Sequence, residues 1–155
     1  MNKSLEQMLE EKRRARQDQA ESLKDSKENW LHRLVDLYDQ IQDWLKPLHE
    51  KGYVKFRREG NPIEEELLGP YIAPSLIVEF EDRSEMQLLP VGLYVVGASG
   101  RVDVMMNARG RDIAIVGKPD TGEWEFAERK EGKYQRFPFT KENLEQIIAD
   151  AIAGK

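Results

Sequence analysis

The feature that most constrains this chain is a set of turn signals that recurs about every ten residues between residues 53 and 139. Each signal contains Gly, Asp or Ser, which favour turns through backbone freedom or short hydrogen-bonding side chains. A parallel pair of strands needs a crossover of about a dozen residues or more, and this spacing leaves no room for one. The sequence therefore predicts an antiparallel meander with turns at residues 81–84, 98–100, 108–110, 119–122 and 131–132.

The segments between these turns have the pattern of half-buried strands. Leu76, Val78 and Phe80 share one predicted face, with acidic residues between and after them on the other. Residues 93–96 do not alternate, so we expect a central strand that is covered on both faces. The predicted strands are residues 53–58, 76–81, 85–89, 93–98, 101–107, 112–117, 123–128 and 134–137.

Residues 58–75 interrupt this pattern. They contain two Gly and three Pro, and prolines disfavour the interior of a sheet. We therefore expect a long loop or an irregular sheet edge between the first two predicted strands.

Two amphipathic helices flank the strand region. Apolar residues follow steps of four and three from residue 30 to residue 48, the spacing of a coiled-coil seam. Pro47 and Gly52 predict the end of this helix. A second helix is predicted at residues 140–153, with Thr140 as its N-cap and Gly154 at its end.

The first 29 residues contain seven basic and seven acidic side chains and neither Pro nor Gly. Their apolar residues are too sparse for a continuous buried face, so we expect a solvent-exposed helix that is frayed or disordered when alone. The predicted organisation is a charged extension at residues 1–29 and one domain at residues 30–155. The predicted class is α+β: a twisted antiparallel meander of six to eight strands, two amphipathic helices on one face, and a projecting charged helix.

The composition excludes several classes of function. With 155 residues, no Cys and two His, the chain has no disulfide framework or thiolate metal site, and a multi-His metal centre is not expected. Its net charge of -5 does not favour generic binding of phosphates. The longest apolar run, residues 90–98, is about half of a membrane span, and the N-terminus lacks the apolar core of a secretory signal. We expect a cytoplasmic protein without a cofactor, a metal or a membrane contact.

Three patterns point weakly to catalysis. The pattern formed by Asp120, Glu128 and Lys130 is similar to the sequence motif of a large nuclease superfamily. About eight strand residues, however, separate the two carboxylates by roughly 26 Å. Residues 97–100 resemble a nucleophile elbow, but a strand and not a helix is predicted to follow, so we expect a hairpin turn with Gly100 at positive φ. A row of one His and three Asp at residues 32–43 is typical of the solvated side of a helix. We therefore predict no catalytic residues and no enzyme.

The apolar face of the 30–48 helix is wider than one packing contact needs, at roughly 180° instead of about 100°. Trp30, Leu37 and Trp44 lie within about 40° of one another on this helix, and Trp is frequent at interaction hot spots. We predict a protein interface at these three residues. The leading hypothesis is a non-enzymatic interaction or accessory module that self-associates, as a homo-oligomer, or docks a larger protein through its N-terminal helical region.

The alternative hypothesis is a nucleic-acid-binding module. Basic and aromatic residues interleave at residues 53–58 and 129–137, and such groups on an exposed sheet face stack bases and contact phosphates. Residues 51–62 have a net charge of +3, whereas residues 63–90, which include the acidic block 64–85, have -6. The candidate nucleic-acid face consists of Tyr53, Lys55, Arg57, Lys133, Tyr134 and Arg136.

Overall fold

The structure is a computed structural model that describes residues 2–106 and 111–154. Two helices flank one sheet, and all neighbouring strands pair antiparallel in sequence order. The elements are α1 Leu5–Glu50, β1 Val54–Glu65, β2 Gly69–Phe80, β3 Glu85–Val95, β4 Ala98–Met106, β5 Asp112–Gly117, β6 Trp124–Lys130, β7 Lys133–Pro138 and α2 Lys141–Ile152. This confirms the predicted α+β class and the antiparallel meander, and it sets the strand number at seven.

One helix, α1, replaces the two helices expected between residues 1 and 48. It begins with a capping box, in which Ser4 and Gln7 exchange side-chain and backbone hydrogen bonds, and it runs for 46 residues. The sequence from residue 5 to residue 46 has no Pro or Gly to break it. Pro47 lies inside the last turn and does not end the helix, which stops before Gly52 at a φ of 79°.

The core lies between one face of the sheet and the two helices. Trp30, Leu34 and Ile41 of α1 and Leu144 and Ile148 of α2 belong to the same buried cluster as the inward side chains of the strands. Thr140 caps α2 as the sequence predicts, by accepting a hydrogen bond from the backbone of residue 143. We call this helix-covered side the inner face, and the opposite side the outer face.

Of the two alternatives for residues 58–75, the long loop is wrong, because these residues form most of a long hairpin between β1 and β2, and its first strand is an edge of the sheet. β1 is an edge strand, and β2 pairs with β3 only from Leu76 to Glu79. The three prolines of this hairpin therefore lie in strand segments with an unpaired edge, where a missing N–H removes no ladder hydrogen bond.

The separate central strand expected at residues 93–98 is also wrong. Residues 93–95 continue β3 past an irregularity between Pro90 and Gly92. Val96 is 104% exposed, and the turn is formed by Val96 and Gly97, because Val95 pairs directly with Ala98. The absence of alternation came from a turn between two strands and not from a doubly covered strand.

The remaining predicted turns agree with the structure only in part. Gly100 has the expected positive φ of 91°, but it lies within β4 and not in a turn. Glu131 and Gly132, with φ of 52° and 77°, form the predicted two-residue turn between β6 and β7. Strand β5 has its predicted bounds. Asn107 and the predicted turn at residues 108–110 lie outside the described residues.

Candidate functional site

The first half of α1 projects from the domain. We call residues 5–29 the arm; at 1.5 Å per residue it is about 37 Å long. Every side chain from residue 2 to residue 22 is exposed, and full burial begins at Trp30. Because the arm and the buried half of α1 are one helix, the direction of the arm is fixed by the packing of the core.

The end of the arm has an apolar stripe, which we call the tip. Leu5, Met8 and Leu9 are 71%, 45% and 57% exposed, and their i, i+3, i+4 spacing places them on one side of the helix. Three glutamates lie among and after these residues, but Lys3 pairs with Glu11 at 2.8 Å, and Lys12 and Arg13 follow directly. The tip is thus an apolar helix end with charges of both signs around it, and the described part of the chain leaves it uncovered.

Arg33 anchors α1 where the arm leaves the domain. Its guanidinium donates hydrogen bonds to the carbonyl oxygens of Ser99, at 2.9 Å, and Gly122, at 2.7 Å. The same group lies 4.6 Å from the ring centroid of Trp124 and 5.7 Å from that of Trp30. One side chain therefore holds the helix to the start of β4 and to the β5–β6 turn, at the base of the arm.

Replacing Gly117 with Ala should destabilise the fold by about 1–3 kcal/mol. A Cβ at Gly117 would overlap the carbonyl oxygen of Ser99 and the guanidinium of Arg33, so the anchor would have to move. Denaturant unfolding of the purified chain measures the effect. Gly60→Ala is the control, since its Cβ would meet only the Cγ2 methyl group of Ile72, at 2.9 Å, and this exposed side chain can shift towards solvent. Equal effects of the two substitutions would contradict the anchoring role.

A hydrogen-bond chain joins α1 to the long hairpin beside this anchor. Trp30 Nε1 donates to the hydroxyl oxygen of Tyr71 at 3.1 Å, and that hydroxyl donates to Glu65 Oε2. Glu65 Oε1 accepts from the backbone N–H groups of Leu93 and Tyr94 at 3.0 and 2.9 Å. Burial, followed by the carboxylate of Glu65, raises the pKa of Tyr71 well above its ordinary value, so Tyr71 remains a neutral donor.

The outer face of the sheet contains a second, small apolar cluster. Ala114, Val116 and Ala127 are buried there, separate from the main core. They form the floor of a cavity of about 400 Å³, within the size range of small-ligand and side-chain pockets. We call this the outer-face cavity; its walls are Val91, Val95, Val96, Ala98, Arg101, Tyr134 and Arg136.

Two arginines at the cavity wall are already paired within the chain. Arg101 contacts Asp103 at 2.8 Å and lies 6.0 Å from the ring centroid of Tyr134. Arg136 contacts Glu125 at 2.7 Å and donates to the carbonyl oxygen of Gly97 at 2.7 Å. These contacts hold the polar wall in place around the apolar floor and bring β7 to the β3–β4 turn.

This cavity was not predicted from the sequence. Its signal was the run Ile113-Ala114-Ile115-Val116, which does not alternate and is buried throughout. Ile113 and Ile115 belong to the main core, whereas Ala114 and Val116 belong to the outer cluster. Non-alternating apolar residues in a strand indicate that both faces are covered, and we applied that rule to residues 93–96 instead of here.

The three residues of the predicted interface lie against the chain's own residues. Trp30 and Leu37 are 0% and 1% exposed in the main core. Trp44 is half-buried, with its ring centroid 4.8 Å from that of Phe139. Most of the wide apolar face of α1 is therefore covered within one copy, by the sheet on one side and the segment that precedes α2 on the other, whereas Val35 and Leu48 stay exposed.

The six residues of the alternative nucleic-acid face fall into two groups. Lys55 and Arg57 lie in β1, with Tyr53 directly before it, whereas the other three lie in β7, at the opposite end of the sheet order. Arg57 contacts Glu59 at 3.0 Å and Glu85 at 3.1 Å. In place of one continuous face, the structure shows two cationic clusters, each next to acidic side chains.

The residues of the weak catalytic patterns also have structural partners. Glu128 is paired with Arg111, and Asp39 is paired with Arg58 at 2.6 Å. Across residues 2–106 and 111–154, no three His, Asp or Glu side chains are grouped as metal ligands. Within the same part of the chain, no helix has the length and apolar character that would cross a membrane.

The described residues thus define an α+β domain with a projecting helical arm and a partly apolar cavity on the outer face of its sheet. Comparisons with protein-family models, with curated proteins and with solved structures found no match. We therefore infer function from the geometry of the chain's own residues.

Proposed function

We propose that this chain is a non-enzymatic protein-interaction module that assembles, with a second copy or with a larger protein, through its arm. The observation that carries the proposal is the exposure of every residue from 5 to 22 in a helix continuous with the core. Most of the stability of protein helices comes from packing, so a partner that covers this exposed stretch would stabilise it. Helices that are polar around most of their circumference commonly bridge between domains or proteins.

The rigid base of the arm supports the same proposal. A flexible tether would lose conformational entropy when it binds, whereas a pre-ordered helix loses less. Arg33 and the buried half of α1 hold the arm in one direction, which presents the tip about 37 Å from Trp30.

The residues that the nuclease-like and elbow-like strings singled out make contacts within the domain, and this supports the non-enzymatic part of the proposal. Glu128, which the nuclease-like string singled out, accepts two hydrogen bonds from Arg111. Ser99, which the elbow-like string singled out, contributes its carbonyl oxygen to the Arg33 anchor. These contacts assign the two residues to the architecture of the domain.

We expect Ala15→Pro to abolish assembly through the arm without unfolding the domain. Proline inside a helix costs about 3 kcal/mol, and residue 15 lies fifteen positions before the first fully buried residue. Sedimentation velocity of the full chain, purified and in extracts of cells that make it, measures its mass against the 18.0 kDa of one copy. The wild type should sediment as a larger species and the variant as a single copy.

Ala15→Ser is the matched control, because it keeps a helical backbone at the same exposed position. It should sediment like the wild type. If the wild type has the mass of one copy under both conditions, or if the proline variant keeps the larger mass, the proposed function is wrong.

A further inference from the structure

We propose that the partner of the arm is a second copy of this chain, and that the two arms pair antiparallel, crossing between residues 11 and 12. This inference rests on the proposed function and adds the partner and the arrangement. In such a pair, residue 11 of one copy lies beside residue 12 of the other, and the two domains lie at opposite ends of the paired arms.

The charges of the first 21 residues alternate in blocks along the helix. From the N-terminus the blocks are Lys3, three glutamates at residues 6–11, four basic residues at 12–16 and two acidic residues at 18–21. The sign of the charge therefore reverses about the boundary between residues 11 and 12. An antiparallel second copy places each block opposite a block of the other sign: the glutamates face segment 12–16, and Lys3 faces segment 18–21.

This symmetry points to a second copy and not to an unrelated protein. A two-fold contact uses the same surface on both copies, so that surface must be complementary to itself. An arm that binds a different protein needs to be complementary only to that protein, with no relation between its own two halves. In residues 3–21, each half has the charges that the other half requires.

These charges are open to a partner. In the part of the chain that the structure describes, the one ion pair among residues 2–22 joins Lys3 to Glu11 at 2.8 Å, and both side chains are more than half exposed. Exposed ion pairs contribute little to stability, so this pair does not withhold its charges from a second copy. The basic side chains of segment 12–16 are all exposed, and none has an acidic partner among the described residues.

Apolar groups meet in the same arrangement. Met8 and Ala15 are two turns apart on one side of the helix and equally far from the crossing point. Met8 of one copy therefore packs on Ala15 of the other, and this contact occurs twice. Lys12 lies between them on the helix, where its aliphatic stem packs along the partner while its ammonium group reaches the glutamates opposite. The contact covers Met8, which is 45% exposed in a single copy.

A parallel pair is the competing arrangement. In register, it would place each block of charge beside a block of the same sign, and like charges that face each other across an interface are destabilising. It would also bring the two domains, in which full burial begins at Trp30, side by side at one end of the arms. The antiparallel pair separates the two copies of Trp30 by about 55 Å along the helix axis, so the domains do not collide.

The experiment reverses charges on each side of the crossing point in the full chain. One variant combines Glu10→Lys with Glu11→Lys, and a second combines Lys12→Glu with Arg13→Glu. A third, which we call the swap variant, has all four substitutions and keeps the net charge of -5. Lys and Glu are both good helix formers, so the arm should stay helical, which circular dichroism checks.

We expect each two-residue variant to weaken self-association by about tenfold or more in sedimentation equilibrium, because like charges then meet at the crossing point. The swap variant should associate like the wild type, since its blocks are again complementary. Asp36→Lys with Asp43→Lys is the control, because it changes the net charge as much as the first variant does, at exposed positions of α1 outside the arm. It should also associate like the wild type.

A mixture of the wild type and the swap variant distinguishes the two orientations. An antiparallel mixed pair places like charges opposite each other at the crossing point, whereas a parallel mixed pair places opposite charges together. A fluorescently labelled swap variant, at a concentration too low for self-association, should therefore sediment as a single copy in an excess of the wild type. A larger labelled species would show a parallel pair and overturn the inference.

A distance measurement tests the orientation independently of charge. The chain has no Cys, so Ser22→Cys attaches one spin label per copy, at an exposed position just beyond the paired segment. The two labels should lie about 30 Å apart along the axis in the antiparallel pair, at 1.5 Å per residue. A parallel pair would place them about 10 Å apart, the distance between packed helices.

Three results would overturn the inference: a label distance near 10 Å, wild-type association of both two-residue variants, or a swap variant that is helical but does not associate. A fourth result separates it from the proposed function. If the purified wild type is a single copy but forms an Ala15→Pro-sensitive complex in cell extracts, the second copy is not the partner, and the proposed function stands.

Discussion

We expect Trp30→Ala to lower the free energy of unfolding by about 3–5 kcal/mol. Trp30 is 0% exposed, and its ring centroid lies 6.1 Å from that of Trp124. Its ring also occupies the space that a Cβ at Gly100 would need. The substitution leaves a cavity where α1 meets the sheet and removes the donor to Tyr71. Guanidinium unfolding of the full chain measures the loss.

A loss of this size is a large share of the 5–15 kcal/mol that stabilises an ordinary domain, so Trp30→Phe is the second variant. It keeps most of the apolar ring, loses the hydrogen bond to Tyr71, and should cost about 1–2 kcal/mol. Trp44→Ala, at a half-buried position, should cost less than Trp30→Ala. A negligible change in stability together with weaker self-association would instead place Trp30 at the interface between copies.

The fold could be predicted from the sequence wherever a local pattern has a single physical cause. The spacing of the turns excluded crossover helices, and every neighbouring pair of strands is antiparallel. Glu131-Gly132 formed the expected two-residue turn because both residues have positive φ, and Thr140 capped α2 through its hydroxyl. In these cases the determinants lie within a few residues of one another.

The sequence was less informative where pairing depends on distant residues. The prolines at 62, 70 and 74 looked incompatible with a strand, because the short pairing between β2 and β3 cannot be read from the chain. Likewise, the wide apolar face of α1 indicated a second contact, with the N-terminal helix or a second protomer, and the sequence did not reveal that Phe139 of the same chain packs on Trp44. Long-range contacts inside one copy and contacts between copies require the same apolar residues, so composition alone does not separate them.

The candidate site was likewise predictable only where its features depend on local sequence. The charged and exposed character of the arm was evident from residues 1–29, but its continuity with the buried half of α1 required the structure. The outer-face cavity combines residues from β3 to β7, and only the unbroken apolar run at residues 113–116 hinted at it.

The second large effect is expected at the ion pair that connects β5, β6 and α2. Arg111 donates to both carboxylate oxygens of Glu128, at 2.6 and 2.9 Å, and to Asp150 at 3.2 Å. The side chain of Glu128 is only 5% exposed. Arg111→Ala leaves that buried carboxylate without its main partner, and we expect a loss of about 2–4 kcal/mol near neutral pH. Lys141→Ala, which removes an exposed pair with Glu145, should change stability little.

The effect of Arg111→Ala should depend on pH with a defined sign. Hydrogen bonds from Arg111 hold the pKa of Glu128 below its ordinary value, although burial opposes this. In the wild type the pair therefore contributes fully above about pH 5, and the contribution is lost as the pH falls through the lowered pKa of the folded state. Without Arg111, burial still opposes the charged form of Glu128 and only Lys130 remains to favour it, so protonation relieves the variant as the pH falls. The stability difference between the wild type and Arg111→Ala should be largest at pH 7 and shrink towards pH 3 in urea unfolding.

In the double variant with Glu128→Gln, the stability difference should be small at both pH values. A difference that stays constant with pH would show that Arg111 acts through packing on Phe137, 5.4 Å away, and not through the carboxylate.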